Sequence, residues 1–186
     1  MLNYYFRDSI KSFVKKDASE IMGEISISDK FDSRQTQSRA WIAEIEVLQL
    51  ALAEFIGEIF FEFSIPRLGK RVDVLIIIND IVFVVEFKVG ESKYLRYDID
   101  QVWDYALDLK YFHQPSHEIV LAPVLVATEA KQSYIEITTT SHHDNLLVPI
   151  KTNERDLHQV IAKTLDFFGE NEKIDCEHLA FGISIY

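Results

Sequence analysis

The chain has 186 residues, of which 48% are hydrophobic, and this length and composition predict one globular domain with a sizeable core. The formal net charge of −11 argues against broad non-specific binding to nucleic acid. One cysteine, Cys176, excludes a disulfide framework and indicates a reducing compartment. No apolar run reaches the roughly 18 residues of a membrane span, and residues 1–13 lack the apolar core of a signal peptide. We therefore expect a cytoplasmic protein without membrane contact.

The N-terminal part is predicted to consist of helices around one polar loop. Residues 1–24 are predicted as a helix with a break near Asp17, and residues 26–37 as the loop. Residues 38–56 carry the strongest helical pattern, and Gly57 suits the end of that helix. The apolar positions of this pattern are Trp41, Ile45, Leu48, Leu52 and Phe55.

A hairpin is predicted over residues 71–88, after a strand at 59–65 and a turn at 66–70. Two β-branched runs flank Asn79-Asp80, a pair suited to a tight turn. Because both runs are apolar nearly throughout, both faces of the sheet should be covered.

Three charged residues interrupt these apolar runs: Asp73, Glu86 and Lys88. Burying a charge is expensive, so their presence needs a joint explanation. Glu86 and Lys88 lie two apart and share a strand face, and a turn at Asn79-Asp80 places Asp73 opposite Glu86. Two adjacent carboxylates repel each other unless a cation lies between them. Mg²⁺ binds proteins through one or two carboxylates together with phosphate oxygens of a substrate.

The C-terminal half alternates helices and strands. After a basic loop at 90–97, residues 98–112 are predicted as a helix on which Gln101 and Tyr105, four apart, share one face. Further predicted elements are a strand at 119–128, short strands at 135–139 and 146–150, a helix at 155–168 and a strand-like run at 179–186. This order predicts an α/β fold, a mixed sheet flanked by helices.

These charged and polar residues resemble known motifs. Asp73 followed by Glu86-Phe87-Lys88 resembles the D…(D/E)-x-K signature of the PD-(D/E)XK nuclease superfamily, and Gln101 with Tyr105 resembles the Q-x-x-x-Y motif of its RecB-like branch. More broadly, residues 41–130 are similar to the nuclease-like head found in front of helicase-type ATPase domains in some bacterial proteins, several of them tied to phage defence.

The resemblance implies a restriction-endonuclease-like fold in a single nuclease-like domain over 1–186. Its parts would be an N-terminal helical extension at 1–37, a catalytic core at 38–130, and strands and a helix at 131–186 that complete the domain.

The resemblance also implies the roles of the site residues. Mg²⁺ or Mn²⁺ would be held by Asp73, Glu86 and the backbone carbonyl of Phe87, and Lys88 would orient the attacking water or stabilise charge on the phosphate. The first helix of this superfamily often supplies a further glutamate. Glu44 is the candidate, because it flanks the apolar stripe of 38–56 whereas Glu46 lies away from it. The alternative is that both glutamates face solvent.

Gln101 and Tyr105 would position the substrate and nearby loops. The plainer interpretation makes Tyr105 a core residue, Gln101 a surface residue and Lys88 only the neutralising partner of Glu86. Five basic residues are candidates for binding the DNA backbone, although each is individually more typical of a solvated surface: Arg67, Lys70, Arg71, Lys93 and Arg96.

Other motifs are weak or absent in the sequence. His142-His143-Asp144 lacks a second ligand pair at zinc spacing, and neither a G-x-S-x-G elbow nor a P-loop appears. We therefore expect a metal-dependent DNA nuclease whose helicase or ATPase partner is not in this chain. The alternatives are a non-catalytic nucleic-acid-binding module of the same fold and, favoured by the acidic charge, a head that recruits an ATPase.

Overall fold

The centre of the structure is a six-stranded sheet whose strands lie side by side in chain order. The computed structural model describes residues 3–28, 35–65, 69–112, 119–131, 134–142 and 144–169. The strands are β1 (Phe6–Ser9), β2 (Glu58–Ser64), β3 (Arg71–Ile78), β4 (Ile81–Lys88), β5 (Val120–Ala127) and β6 (Ile150–Thr152). The helices within the described ranges are α1 (Ile10–Phe13), α2 (Ala18–Ser28), α3 (Gln35–Ala51), α4 (Arg96–Phe112) and α5 (Leu157–Phe168).

The sheet is antiparallel from β1 to β4 and parallel from β4 to β6. Short connections join β2, β3 and β4, whereas the β4–β5 pair is parallel because α4 provides the crossover between them. In the β3–β4 hairpin Ile78 pairs with Ile81, and Asn79 adopts the positive φ of 51° that a tight turn requires. The predicted α/β fold, a mixed sheet flanked by helices, is confirmed.

Both faces of the sheet are covered, which explains the nearly continuous apolar runs of β3 and β4. Four helices, α1, α2, α3 and α5, contribute buried residues to the cluster that contains Val74 and Ile76. Helix α4 covers the other face, where Val102 packs in one cluster with Leu75 and Ile77. The chain between α3 and α4 is therefore held from both sides, and the charged residues of β3 and β4 lie at the edge of this core.

The predicted helix over residues 1–24 is wrong at its start, because Phe6–Ser9 forms β1 and pairs with β2. Phe6, Ile10 and Phe13 are buried in one cluster, so their spacing arose from a strand followed by a short helix. The predicted helical extension over 1–37 accordingly contributes an edge strand to the central sheet. The predicted loop at 26–37 is also shorter than expected, because α2 reaches Ser28 and α3 begins at Gln35.

Gly57 does not end the long helix, which stops at Ala51. A Cβ atom at Gly57 would collide with the backbone carbonyl of Ile77 on β3. The glycine is therefore explained by close approach of two backbones at the start of β2.

The C-terminal elements differ in detail from the prediction. The strands predicted at 135–139 and 146–150 appear only as isolated bridges, Thr139 with Leu147 and Leu121 with Leu146, and the last strand is β6. The strand-like run at 179–186 lies outside the described residues. Among the described helices, no segment is long and apolar enough to cross a membrane.

Candidate active site

Asp73 and Glu86 lie next to each other on the central hairpin. The ladder runs to the pair Val74 and Val85, and the next register step places Asp73 opposite Glu86. The Asp73 Oδ2 atom accepts a hydrogen bond from the Phe87 amide at 2.9 Å. Residue Phe87 thus contacts the acidic pair through its N–H, and its carbonyl remains a predicted ligand.

The pKa values of both carboxyl groups are raised. Burial and the neighbouring charge of Glu86 raise the pKa of Asp73 to about 8. Burial also raises the pKa of Glu86, although the ammonium of Lys88 opposes that shift. In the absence of a cation, burial and mutual repulsion therefore favour a proton on the acidic pair.

Lys88 links strand β4 to helix α4 beside this pair. Its Nζ atom donates hydrogen bonds to Glu86 Oε1 at 2.9 Å and to Gln101 Oε1 at 3.1 Å, and lies 3.5 Å from Asp98 Oδ1. Burial disfavours the charge of Lys88, but the bond to Glu86 and the Asp98 carboxylate outweigh it and raise the lysine pKa. Lys88 is therefore a charged ammonium at neutral pH, with its side chain 22% exposed.

Helix α4 places Gln101 and Tyr105 over the same centre. The Gln101 Nε2 atom donates to Glu86 Oε1 at 2.8 Å and to the Tyr105 hydroxyl at 2.9 Å. Their spacing of four residues gives both side chains one helix face, as the sequence predicts. Trp103, between them in sequence, is partly buried in the core cluster on this side of the sheet.

Glu44 approaches from α3. Its side chain is buried, whereas that of Glu46 is exposed. Burial, followed by the charges of Asp73, Glu62 and Glu86, raises the Glu44 pKa well above its usual value. Glu44 therefore faces the acidic pair and Glu46 does not, in agreement with the expected orientation of the two side chains.

Glu62, on β2, is another buried acid that the sequence analysis did not single out. The β2–β3 register places Glu62 opposite Asp73, at the one step of this ladder where no pair forms. The Glu62 backbone has a positive φ of 53°. Trp41 Nε1 donates to Glu62 Oε1 at 2.7 Å, and Arg71 Nε lies 2.6 Å from Glu62 Oε2. A positive φ in a non-glycine strand residue is strained, and the two bonds hold Glu62 in this conformation. The sequence feature that could have identified Glu62 is its position as an isolated acid within the apolar run of β2.

One oxygen of Glu86 lacks a partner. Glu86 Oε2 is buried and has no hydrogen-bond donor among the described residues, whereas Oε1 receives bonds from both Lys88 and Gln101. A buried carboxylate oxygen without a donor is costly. A proton on Asp73 or a cation between the two carboxylates would satisfy it.

The described residues contain no group of three or more His, Cys, Asp or Glu side chains arranged to hold a metal ion. Two carboxylates are nevertheless an ordinary protein contribution to a Mg²⁺ site that also uses water and phosphate oxygens. A hard divalent cation fits this site for three reasons. Asp73 and Glu86 offer oxygen ligands, one Glu86 oxygen has no donor among the described residues, and the pKa values of both carboxyl groups are raised.

The predicted DNA-contacting residues have different surroundings. Lys70 is paired with Asp108 at 2.7 Å, and Arg96 with Asp100 at 3.0 Å. The remaining three are Arg71, which is bound to Glu62 and stacks on the Tyr5 ring, Lys93, which is exposed, and Arg67, which lies outside the described residues.

In comparisons with known proteins, no protein-family model matches the chain, and no curated protein matches it significantly. The functional argument therefore depends on the site itself.

Proposed function

We propose that the protein is a metal-dependent nuclease that hydrolyses DNA phosphodiester bonds. The observation that carries this proposal is the pair of half-buried Asp73 and buried Glu86. One Glu86 oxygen has no donor among the described residues, and the ammonium of Lys88 lies 2.9 Å from the other. Buried carboxylates that repel one another are unfavourable for folding alone, and a divalent cation removes the repulsion. The arrangement also agrees with the resemblance to PD-(D/E)XK nucleases.

The residues of the chain have distinct roles in this reaction. Asp73 and Glu86 would hold Mg²⁺ or Mn²⁺, with the Phe87 carbonyl as a further ligand and the Glu44 charge nearby. A bound ion of this kind polarises a phosphate and lowers the pKa of an attacking water.

Lys88 presents a compact positive charge to a phosphate oxygen and stabilises the negative charge that develops there. Gln101 fixes Lys88 and Glu86 through one side-chain amide, so that the ammonium is positioned before substrate arrives. Tyr105 in turn holds the Gln101 amide.

The test is a cleavage assay on linear and circular DNA, single- and double-stranded, with Mg²⁺ or Mn²⁺. The wild-type protein should cut at least one of these substrates, and Asp73→Asn and Glu86→Gln should lower the rate by about 100-fold or more, because each removes a ligand charge. Glu46→Gln is the matched control, since Glu46 is an exposed acid two residues from Glu44. Calorimetry with Mn²⁺ on the same variants measures the metal site directly.

A second candidate is a non-catalytic head that recruits an ATPase partner, and the net charge of −11 favours it over a generic DNA-binding role. It predicts no Mn²⁺ site that depends on Asp73 and Glu86 and no cleavage of any DNA. The same assays therefore separate the two candidates. On the nuclease proposal the protein acts in the cytoplasm, with a helicase or ATPase subunit of a DNA-processing or phage-defence system as its partner.

A further inference from the structure

A cavity of about 380 Å³ borders Gln101, whose side chain bonds to Glu86 of the acidic pair. It is lined by Lys70, Tyr97, Asp100, Gln101, Asp104 and Tyr105. Gln101 belongs to both places, because its amide forms part of the cavity wall and also bonds to Glu86 and Lys88. A group bound in the cavity is therefore separated from the ammonium of Lys88 by a single side chain.

The cavity has an aromatic wall. Tyr97, Gln101 and Asp104 follow one another at helical spacing along one face of α4, so their side chains project in the same direction. Tyr97 is 75% exposed, so its ring is accessible to a group bound in the cavity. The exposed ring beside a cavity offers a flat surface on which a planar group can stack.

The charges of the lining decide against a phosphate in this cavity. Asp100 is paired with Arg96 at 3.0 Å and Lys70 with Asp108 at 2.7 Å, so each pair is neutral as a whole. Among the described lining residues, the remaining charged side chain is the carboxylate of Asp104. A phosphate group would be repelled, whereas a nucleobase carries no net charge and its amino groups can donate hydrogen bonds to a carboxylate. The cavity therefore favours the base of a nucleotide over its phosphate.

We propose that this cavity binds one unpaired nucleobase of a single-stranded nucleic acid, stacked on Tyr97, with the phosphate of that nucleotide directed toward Lys88. The proposal rests on the nuclease function and defines its substrate class. A base in a duplex is stacked and paired, so it reaches Tyr97 only after it has left the helix. Single strands and frayed ends are accordingly the preferred substrates, and bases with an amino group, such as cytosine and adenine, are preferred to thymine or uracil through Asp104.

The test measures binding without turnover. Single-stranded DNA and RNA oligonucleotides carrying 2-aminopurine are titrated with protein in Ca²⁺ in place of Mg²⁺, and quenching of the base fluorescence reports stacking. The wild type and Tyr97→Phe, which keeps the ring, should quench the probe and bind alike. Tyr97→Leu, which keeps apolar bulk without a ring, should bind at least about fivefold more weakly, because stacking of one base on an aromatic ring contributes this much or more. Tyr111→Ala is the matched control, since Tyr111 is a 65% exposed tyrosine at the other end of α4.

A companion variant, Asp104→Asn, should quench the 2-aminopurine probe like the wild type, but unlabelled oligocytidine should lose its advantage over oligothymidine as a competitor of the probe. The subsite proposal is overturned if duplex and single strands bind equally, if no nucleic acid binds, or if Tyr97→Leu binds as tightly as the wild type. Cleavage that requires Asp73 but ignores Tyr97 would refute the subsite and leave the nuclease proposal standing. Tyr97-dependent quenching in a protein that cuts no substrate would support the subsite and refute the nuclease proposal.

Discussion

Lys88 contacts the carboxylates of Glu86 and Asp98 and the side-chain amide of Gln101. Variants that remove its charge therefore distinguish a catalytic role of Lys88 from a purely structural one. We predict that Lys88→Ala lowers the cleavage rate by roughly 100-fold or more, since it removes the charge nearest the phosphate. Mn²⁺ affinity should stay unchanged or rise, because a positive charge beside Asp73 and Glu86 has been removed. The free energy of unfolding should fall by only about 1–2 kcal/mol, because the ammonium is partly exposed and Glu86 can take up a proton instead.

Lys16→Ala is the matched control for this variant. Lys16 is also a partly exposed lysine between two carboxylates, Asp8 at 3.0 Å and Glu24 at 3.5 Å, and lies on another part of the molecule. It should lose a similar stability and no activity. A Lys88→Ala protein that melts far below the wild type yet still cuts DNA would show that Lys88 is a structural partner of Glu86.

Asp73 makes the stability of the metal-free protein depend on pH. Its pKa is about 8 in the folded state against an ordinary value of 3.8, so the folded state binds a proton more tightly than the unfolded state. The stability due to this proton is fully present near pH 4 and is lost as pH rises to about 8. Asp73→Asn imitates the protonated carboxyl, so it should be more stable than the wild type at pH 8 by about 1–3 kcal/mol, and the difference should vanish toward pH 4.

Chemical denaturation in chelator at pH 5, 6, 7 and 8 measures this difference. Asp166→Asn, at an exposed position on α5, provides the control and should show no such trend. A wild-type protein whose stability relative to Asp73→Asn does not change over this range would mean that Asp73 titrates normally.

At the level of single residues, the sequence could predict which side chains meet on the hairpin because the register of a two-residue turn is nearly fixed. That register brings Asp73, Glu86 and Lys88 together, and helical spacing adds Gln101 and Tyr105. Glu62 could not be placed in the same way. Its position opposite Asp73 depends on the β2–β3 register and on a left-handed backbone, neither of which a local pattern encodes.

A hydrogen bond from Trp41 to Glu62 links helix α3 to strand β2. Glu44 lies about one turn further along the same face of α3. We predict that Trp41→Phe lowers Mn²⁺ affinity about 3- to 10-fold, because Glu44 is no longer held toward Asp73 and Glu86. It should also lower the free energy of unfolding by about 2–3 kcal/mol, since a buried bond to a carboxylate is lost.

A double-mutant cycle tests whether Trp41 acts through Glu44. In a Glu44→Gln background, Trp41→Phe should change Mn²⁺ affinity by less than about twofold, because the positioned charge is absent. Trp103→Phe, at a partly buried tryptophan on α4, is the control for loss of aromatic bulk. Equal effects of Trp41→Phe in both backgrounds would mean that α3 does not position Glu44.

Among the elements, the long ones were predictable and the short ones were not. Helices α3, α4 and α5 show a clear helical period, and the hairpin shows two long apolar runs around a turn pair, so their observed bounds differ from the prediction by a few residues. The four residues of β1 are too few to show alternation, and with α1 they reproduce a helical spacing of Phe6, Ile10 and Phe13. Their strand conformation is set by pairing with β2, which is a tertiary effect.

For the molecule as a whole, the charge of −11 limits how the protein can hold nucleic acid. Three of the predicted DNA-contacting residues, Lys70, Arg71 and Arg96, are paired with acids of the protein. We therefore predict few phosphate contacts, so that the slope of log affinity against log salt concentration is no steeper than about −3. Fluorescence anisotropy with one oligonucleotide between 50 and 200 mM salt (about a fourfold range) gives this slope. A slope of roughly −6 or steeper would indicate an extended basic contact surface instead.

The strand β1 also has a consequence for local opening of the structure. Arg71, which neutralises Glu62, donates a hydrogen bond to the Tyr5 hydroxyl and stacks on the Tyr5 ring, and Tyr5 directly precedes β1. Edge elements with few neighbours detach at a lower free energy than the central strands, as amide hydrogen exchange reveals in folded proteins. Detachment of β1 would remove the Tyr5 ring and hydroxyl from Arg71, while Arg71 would keep its pair with Glu62 and the rest of the sheet would stay paired. The position of the guanidinium beside Glu62 is thereby coupled to the fraying of a four-residue strand at the margin of the molecule.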